Sequence, residues 1–554
     1  MTRRIQIVQF ISGHRITVAV VLCFFALCVQ SVLPPTHKAK PKPKTDEKIY
    51  LVHSDELKFD HFGVNPDAQI AKGHVHFSHQ GAQLWCDSAY FYQESNSVKA
   101  FGNVRFKQGD TLSLTARYAD YDGVEQRMAA RYNVVLTHRR QVLKTDSLNY
   151  DRLYNYAYFM EGGTLEDGKD KLVADWGKYN LDTRDAVFYY NVKMRSADRL
   201  IVTDTLYYDT RKSMAHVVGP GSRITSKESV VKTTDAYYNT KTDRAMLYGR
   251  STLEDKQKSL VGDSLYYVKN GDSYGYGHVV YVDKENKNSL VCDELKYNEK
   301  TGAGYATKHA LLKDYSQGKD TLYAHADSIK IFTFNINTDS VYRKVHCYNK
   351  VSIFRADVQA ISDSLVFNSQ DSCLTMYKDP VVWSDGRQLL GEVIKVYMND
   401  STVRFAQVVG QALSVEQMPD KQHYNQVASR LMNAYFDQGN IRQTEAIGNV
   451  RTVYYYTDDK DSSLVALNYM ETDTLRMYLS DKRQLERIWA CKPEGTMYPI
   501  SQIPPGKEKL DVFVWLEELR PKDKDDIFNW RGKKPGEGLV VRKRHEAPLQ
   551  RLDN

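Results

Sequence analysis

Thr203-Asp-Thr-Leu-Tyr-Tyr-Asp209 decides the fold, because the chain keeps returning to this phrase. Cys86-Asp-Ser-Ala-Tyr-Phe-Tyr92, Thr145-Asp-Ser-Leu-Asn-Tyr-Asp151, Gly262-Asp-Ser-Leu-Tyr-Tyr-Val268 and Ser362-Asp-Ser-Leu-Val-Phe-Asn368 keep its order: small residue, Asp, Ser or Thr, an apolar residue, any residue, an aromatic. Its aromatic anchors Phe91, Tyr121, Tyr150, Tyr179, Tyr208, Tyr238, Tyr267 and Tyr297 fall 29 or 30 residues apart. A period of that length is the mark of a stacked repeat, in which each unit buries its apolar face only against its neighbours.

A second phrase follows the first. It reads Ala100-Phe-Gly-Asn-Val104, Gly275-Tyr-Gly-His-Val279 and, near the C-terminal end, Ala446-Ile-Gly-Asn-Val450. Both phrases are rich in Val, Tyr, Phe, Thr and Leu, and both are flanked by turn-forming residues. Asp182-Thr-Arg-Asp185 and Thr240-Lys-Thr-Asp243 supply polar hairpin tips. One period thus holds two strands of about ten residues each, with no length left for a helix. Asp204, Leu206 and Tyr208 share parity, so a regular strand would put the Asp on the apolar face. A buried carboxylate needs partners, or a bulge must turn it outward. Two roles stay open: an Asp that binds backbone groups at a bend in each strand, or a simple turn former.

Beyond Tyr297 the beat loosens, with the next anchors near Ile331, Phe367 and Tyr397. The expected organisation is a leader at 1–33, a Lys/Pro spacer at 34–48, regular repeats at 49–320, less regular repeats at 321–500 and a separate C-terminal segment at 501–554. In the leader, Arg3 and Arg4 precede the apolar run from Ile16 to Val29. That pattern predicts a secretory signal peptide or an N-terminal membrane anchor. Asp511 to Leu519 reads as a short amphipathic element, and the residues from Arg531 onward as a loose basic tail.

The formal charge is +7, of which Arg3, Arg4 and Arg15 supply three. Such a balance does not point to nucleic acid. Seven cysteines are present, two of them in the leader. The other five are widely spaced, which predicts buried thiols rather than a disulfide framework. The sequence carries no phosphate loop, nucleophile elbow or CxxC pair. Carboxylates that recur with the period are structural before they are catalytic. His74, His76 and His79 lack the carboxylate or cysteine signature of a metal site. Gly277 of Gly275-x-Gly277 reads as the repeat's own turn. Asp146-Ser-Leu and Asp204-Thr-Leu resemble an O-glycosylation sequon, but the repeat itself explains them. No catalytic residue, metal site or cofactor is expected.

The paired phrases, in register over residues 50 to 500, resemble the OstA-like (organic solvent tolerance) family of periplasmic lipopolysaccharide-transport proteins. Lys99-Ala-Phe-Gly-Asn-Val104 and Glu445-Ala-Ile-Gly-Asn-Val450 lie closest to the family phrase. The chain is longer than the family's short bridge proteins. The resemblance implies an all-β, elongated, open β-jellyroll of V-shaped antiparallel strands, roughly 140 Å long at about 4.8 Å per strand. It implies a non-enzymatic part of a bridge that carries lipopolysaccharide to the outer membrane through an apolar groove. The implied partners are lipopolysaccharide and other jellyroll components, including the outer-membrane assembly protein. Membrane contact would occur at the N-terminus. Val104, Leu148, Leu206, Leu265 and Leu295 are the groove candidates, each of which also reads as ordinary core. The alternative is a structural or adhesive surface β-solenoid with a filled core.

Overall fold

The computed structural model of the protein describes residues 48–316, 320–336, 338–399, 402–458, 463–481 and 485–532. The leader, nearly all of the spacer and the basic tail from Lys533 lie outside the described residues. The described residues fall into two compact units, one within Met1–Arg139 and Asp146–Tyr158, the other within Arg140–Thr145 and Phe159–Asn554. Each unit is nearly all β. The helices among the described residues are three 3-10 turns, all after residue 499.

In the first unit, strands of 11 and 12 residues alternate, as in Ala82–Tyr92, Ser97–Gln108, Leu112–Asp122 and Arg127–His138. Each pairs antiparallel with the next in sequence. The expected two strands per period are therefore present. The second phrase is not a turn, however. Gly102-Asn103 lies in mid-strand, where the register slips between Phe101 and Val104. Both residues are left-handed, with φ of 71° and 42°. This is a β-bulge, which bends its strand. Tyr132-Asn133 repeats it in the first unit, and Tyr190-Asn191 and Gly277-His278 repeat it in the second.

The bend resolves the parity conflict. In Arg199–Asp209, Ile201 and Thr203 are buried before it and Leu206 and Tyr208 after it, while Asp204 faces solvent. The inward parity changes at the corner, so both arms of the strand bury their apolar side. The corner carboxylate mostly meets side chains rather than backbone. Asn103 Nδ2 donates to Asp87 Oδ2 at 2.9 Å, Asn191 Nδ2 to Asp175 Oδ2 at 2.7 Å, and His278 pairs with Asp263 at 3.2 Å. Asn133 supplies the backbone case, donating its N–H to Asp146 at 3.0 Å. The reason is geometric. A left-handed residue on the bulged strand projects its side chain across the corner toward the opposing carboxylate. The His278 hydrogen bond, reinforced by Arg250, holds Asp263 below the usual carboxylate range.

Described cysteines are free, and Cys86, Cys292, Cys347 and Cys373 are buried. Desolvation pushes the Cys86, Cys292 and Cys347 thiols up to about 12. They act as small apolar fillers.

The C-terminal segment departs from the sequence reading. Within the second unit it runs back across the outer face of the sheet as an irregular strap. Leu510 and Leu516, with Phe513 and Trp515, cover Trp383, Leu390, Leu413, Val415 and Val453. Buried glutamines of the sheet hold the strap's backbone. Gln426 donates to Glu508 O at 3.0 Å and accepts from Leu510 N at 2.8 Å. Gln388 donates to Val514 O at 2.8 Å and accepts from Leu516 N at 2.7 Å. Further back, Arg520 Nε donates to Gln359 at 2.7 Å. Instead of one amphipathic element at 511–519, the segment has a single turn at Glu517–Leu519 and another at Asp526–Phe528.

Two measurements check these packing arguments. A Cβ at Gly102 would lie 2.4 Å from Asp87 Oδ2, whereas one at Gly81, also left-handed, would meet nothing within 4 Å. Gly102→Ala should therefore cost about 1–3 kcal/mol in denaturant titration, clearly more than Gly81→Ala. Equal losses would show that the corner contact contributes nothing. Gln388→Met removes both strap bonds and the Trp383 Nε1 partner at 3.2 Å. It should destabilise by about 2–4 kcal/mol and expose the strap to trypsin at Lys507, Lys509 and Arg520. A cleavage pattern unchanged from wild type would contradict the role given to Gln388.

Candidate functional site

The two arms of each bent strand face each other across an interior, and the anchors decide whether its mouth is shut. In the first unit the Tyr121 hydroxyl pairs with His79 Nδ1 at 2.7 Å, 42 residues away and on the opposite arm. Tyr150 donates to Gln108 at 3.0 Å across the same gap. Arg152, buried, adds bonds to Gln80 O, Gln108 and Tyr121. In the second unit Tyr208 donates to Asp170 at 2.7 Å and Thr240 to the same oxygen at 2.9 Å. Arg199 pairs with Asp243 at 2.6 Å and lies over the Tyr238 ring. Burial and the Asp170 carboxylate push the Tyr208 phenol well up. Desolvation raises the Tyr121 phenol as well, and these tyrosines fasten one arm to the other.

Farther along the second unit the fastening stops. Tyr267 is half-buried and Tyr297 is 41% exposed. There the interior has a different cross-section. Small residues such as Cys292, Ala306, Ala310, Ala324, Ala326 and Cys347 are buried there together with larger ones, Val279, Leu290, Ile329, Ile353 and Leu365, and form a floor. Larger residues nearer the tips, including Leu260, Tyr281, Leu295, Leu312, Leu322 and Val345, pack on that floor but are only half-buried. This arrangement extends to Met432. It is an apolar interior, here called a trough, whose walls are less deeply buried than those of the fastened stretch. In the fastened stretch the equivalent tip-side residues, such as Leu114, Leu143 and Ile201, are fully buried.

The five predicted groove residues divide between these two regimes. Val104, Leu148 and Leu206 are 1%, 0% and 0% exposed and sit in filled interior. Leu265, 5% exposed, and Leu295, half-buried, lie in the unfastened stretch. They share one row, separated only by Gly275. The structure thus brings Leu265 and Leu295 together and leaves the other three as core. Sequence reading missed most of the trough walls. Their signal lies three residues before the repeat's Asp: Leu260 stands there relative to Asp263, as Ile201 does to Asp204.

The three histidines go separate ways. His74 pairs with Asp55 at 2.7 Å, His76 with Gln83 at 2.7 Å, and His79 serves the mouth. Among the described residues no group of three or more His, Cys, Asp or Glu side chains is placed to hold a metal. The trough offers apolar surface without reactive groups, so its chemistry is that of solvation: it can shelter hydrocarbon.

Among the described residues, the strands at both ends of the series are paired on one side only. Tyr50–His53 and Glu56–Phe59 pair with Gln69–His79 on one side. Leu485–Cys491 and Glu494–Pro499 likewise pair with Leu464–Leu479. These edge strands expose Phe59, Ile488, Trp489 and Met497.

Comparison with known proteins adds one finding. No curated protein matches the chain. The model of the family described as OstA-like protein matches residues 46–204, a stretch that holds the regular repeats with their corner Asp and bulge. That match makes residues 46–204 similar to the OstA-like protein family and supports the resemblance carried by the repeat phrases.

Proposed function

We propose that this protein is a non-enzymatic carrier of lipopolysaccharide, a component of a periplasmic bridge that delivers it to the outer membrane. The observation that carries this reading is the trough from Leu260 to Met432, whose apolar walls at Leu260, Leu295, Leu312 and Leu322 are only partly buried over a buried floor. A soluble domain gains nothing by wetting a row of Leu and Val. A ligand with acyl chains removes that cost at about 0.8 kcal/mol per CH₂, so ten such groups are worth about 8 kcal/mol. The family match supports the same reading. The sequence of residues 1–33 supports export by a secretory signal, with the alternative of an uncleaved anchor. The free edge strands fit docking to other jellyroll components, because an unpaired edge is a template for strand addition.

The filled interior around Val104, Leu148 and Leu206 favours a second reading for those residues, that of a structural β-solenoid. A photo-crosslinking residue separates the two. Placed at Leu260 or Leu295, it should label lipopolysaccharide in cells, while the same group at Leu206 should label protein alone. Protein-only labelling at all three positions would favour the solenoid. Depletion provides an independent check: surface lipopolysaccharide should fall, and an unchanged level would remove the protein from the route.

A further inference from the structure

The outer face of the second unit carries a feature unrelated to the trough. Along the arm that follows each corner, the residue between the inward Leu and the inward aromatic points outward, as Tyr207 does between Leu206 and Tyr208. Across successive strands these outward positions stand in register: Tyr207, His216, Tyr237, Met246, Tyr266 and Tyr274. Six strands at about 4.8 Å make a row of roughly 24 Å. Its rings overlap: His216 stacks on Tyr237 at 4.0 Å with planes 6° apart, and Tyr207 stacks on His216 at 5.6 Å. Tyr207 is 44% and Tyr237 37% exposed, so the ring array is open to solvent.

The neighbouring register row runs Asp235, Tyr248, Ser264, Tyr276 and Glu294. It holds hydroxyls and carboxylates, with Glu294 paired to Lys308 at 3.2 Å. The aromatic row itself continues into Lys296, which pairs with Asp272 at 2.7 Å and lies over the Tyr274 ring. The row on its other side carries Arg244. Asp235, held by His216 at 2.8 Å, lines a recess with Tyr237, Met246 and Tyr248. On the other arm of the same strands, the outward row is Val202, Arg223, Lys232 and Thr252, charged and without rings. The aromatic row is therefore confined to one face.

Ring faces flanked by acceptors complement a ligand with apolar C–H faces and many hydroxyl donors. Phosphate-rich partners, whether nucleic acid or an anionic lipid surface, would meet Asp235 with like charge, while Lys296 and Lys308 at the end of the rows are already paired with Asp272 and Glu294. We propose that this row is a binding platform for a glycan strand, the sugar rings lying along the aromatic row and their hydroxyls donating to the adjacent carboxylates. The platform does not depend on the trough reading, since it lies on the opposite side of the sheet.

The test uses the full-length protein and two probes: insoluble cell-wall glycan stripped of its peptides, and the deacylated saccharide of lipopolysaccharide. Wild type should bind at least one, measured by co-sedimentation for the first and calorimetry for the second; the one bound identifies the source. The triple variant Tyr207→Ser, Tyr237→Ser, Tyr274→Ser should weaken binding tenfold or more, and the matching Tyr→Phe triple should stay within threefold of wild type. Should the Ser triple fail to fold, nitration of wild-type Tyr207 and Tyr237 replaces it: bound glycan should slow the modification severalfold. Binding of neither probe, a Ser triple that binds like wild type, or nitration unaffected by glycan would each overturn the proposal.

Discussion

Two left-handed residues opposite one carboxylate, in the middle of a strand, are the constraint on which the structure depends. A strand that stayed straight would send Leu206 and Tyr208 to one face and Ile201 and Thr203 to the other. With the corner at Asp204 all four are buried together. The bulge is costly in isolation, because residues such as Tyr132 and Tyr190 take up left-handed backbone with φ of 67° and 63°. It persists because pairing on both sides over-determines it and because the corner carboxylate gives the projecting side chain a partner. Most layers repeat the corner, with Thr234 and Arg430 standing in for the carboxylate opposite Gly249 and Gly448, and the interior follows from stacking those corners.

The corner makes two arms but does not set the distance between their tips. That is the work of the anchors. Where Tyr121, Tyr150 and Tyr208 reach a partner on the opposite arm, the interior fills and water is excluded. Where Tyr297 has its ring in solvent, the tips are unfastened and Leu260, Leu295 and Leu322 remain half-wet. One repeat thus yields two cross-sections, and the choice between them turns on a few polar contacts at the rim. Those contacts are hydrogen bonds and ion pairs, and the tyrosines that make the hydrogen bonds pack their rings inward, as Tyr121 and Tyr150 do on Phe106.

The strap adds a further asymmetry. It covers the outer face of one arm, so Trp383, Leu413 and Val453 are buried from outside while residues on the other side of the same strands look into the interior. Both faces of that arm are apolar, which hides the alternation that marks a half-exposed strand. Gln388 and Gln426 look like surface glutamines in sequence, yet they are the groups that grip the strap's peptide bonds.

Much of this was legible in the amino-acid order. The 29- to 30-residue beat, the two strands per period, the corner at each Asp and the inward Leu and aromatic positions are local patterns, fixed by side-chain period and turn chemistry. What the order of residues could not decide was which stretches are shut. Leu206 and Leu295 occupy the same position in the repeat, two residues after the corner Asp, yet one is core and the other wall. Their fates hang on contacts between residues far apart in the chain, such as Tyr208 with Asp170, 38 residues away, or Leu510 with Gln426, 84 away. Such pairs exist only once the arms have stacked. The repeat therefore determined the shape of one layer, and tertiary contact alone decided whether that layer is a filled core or an open trough.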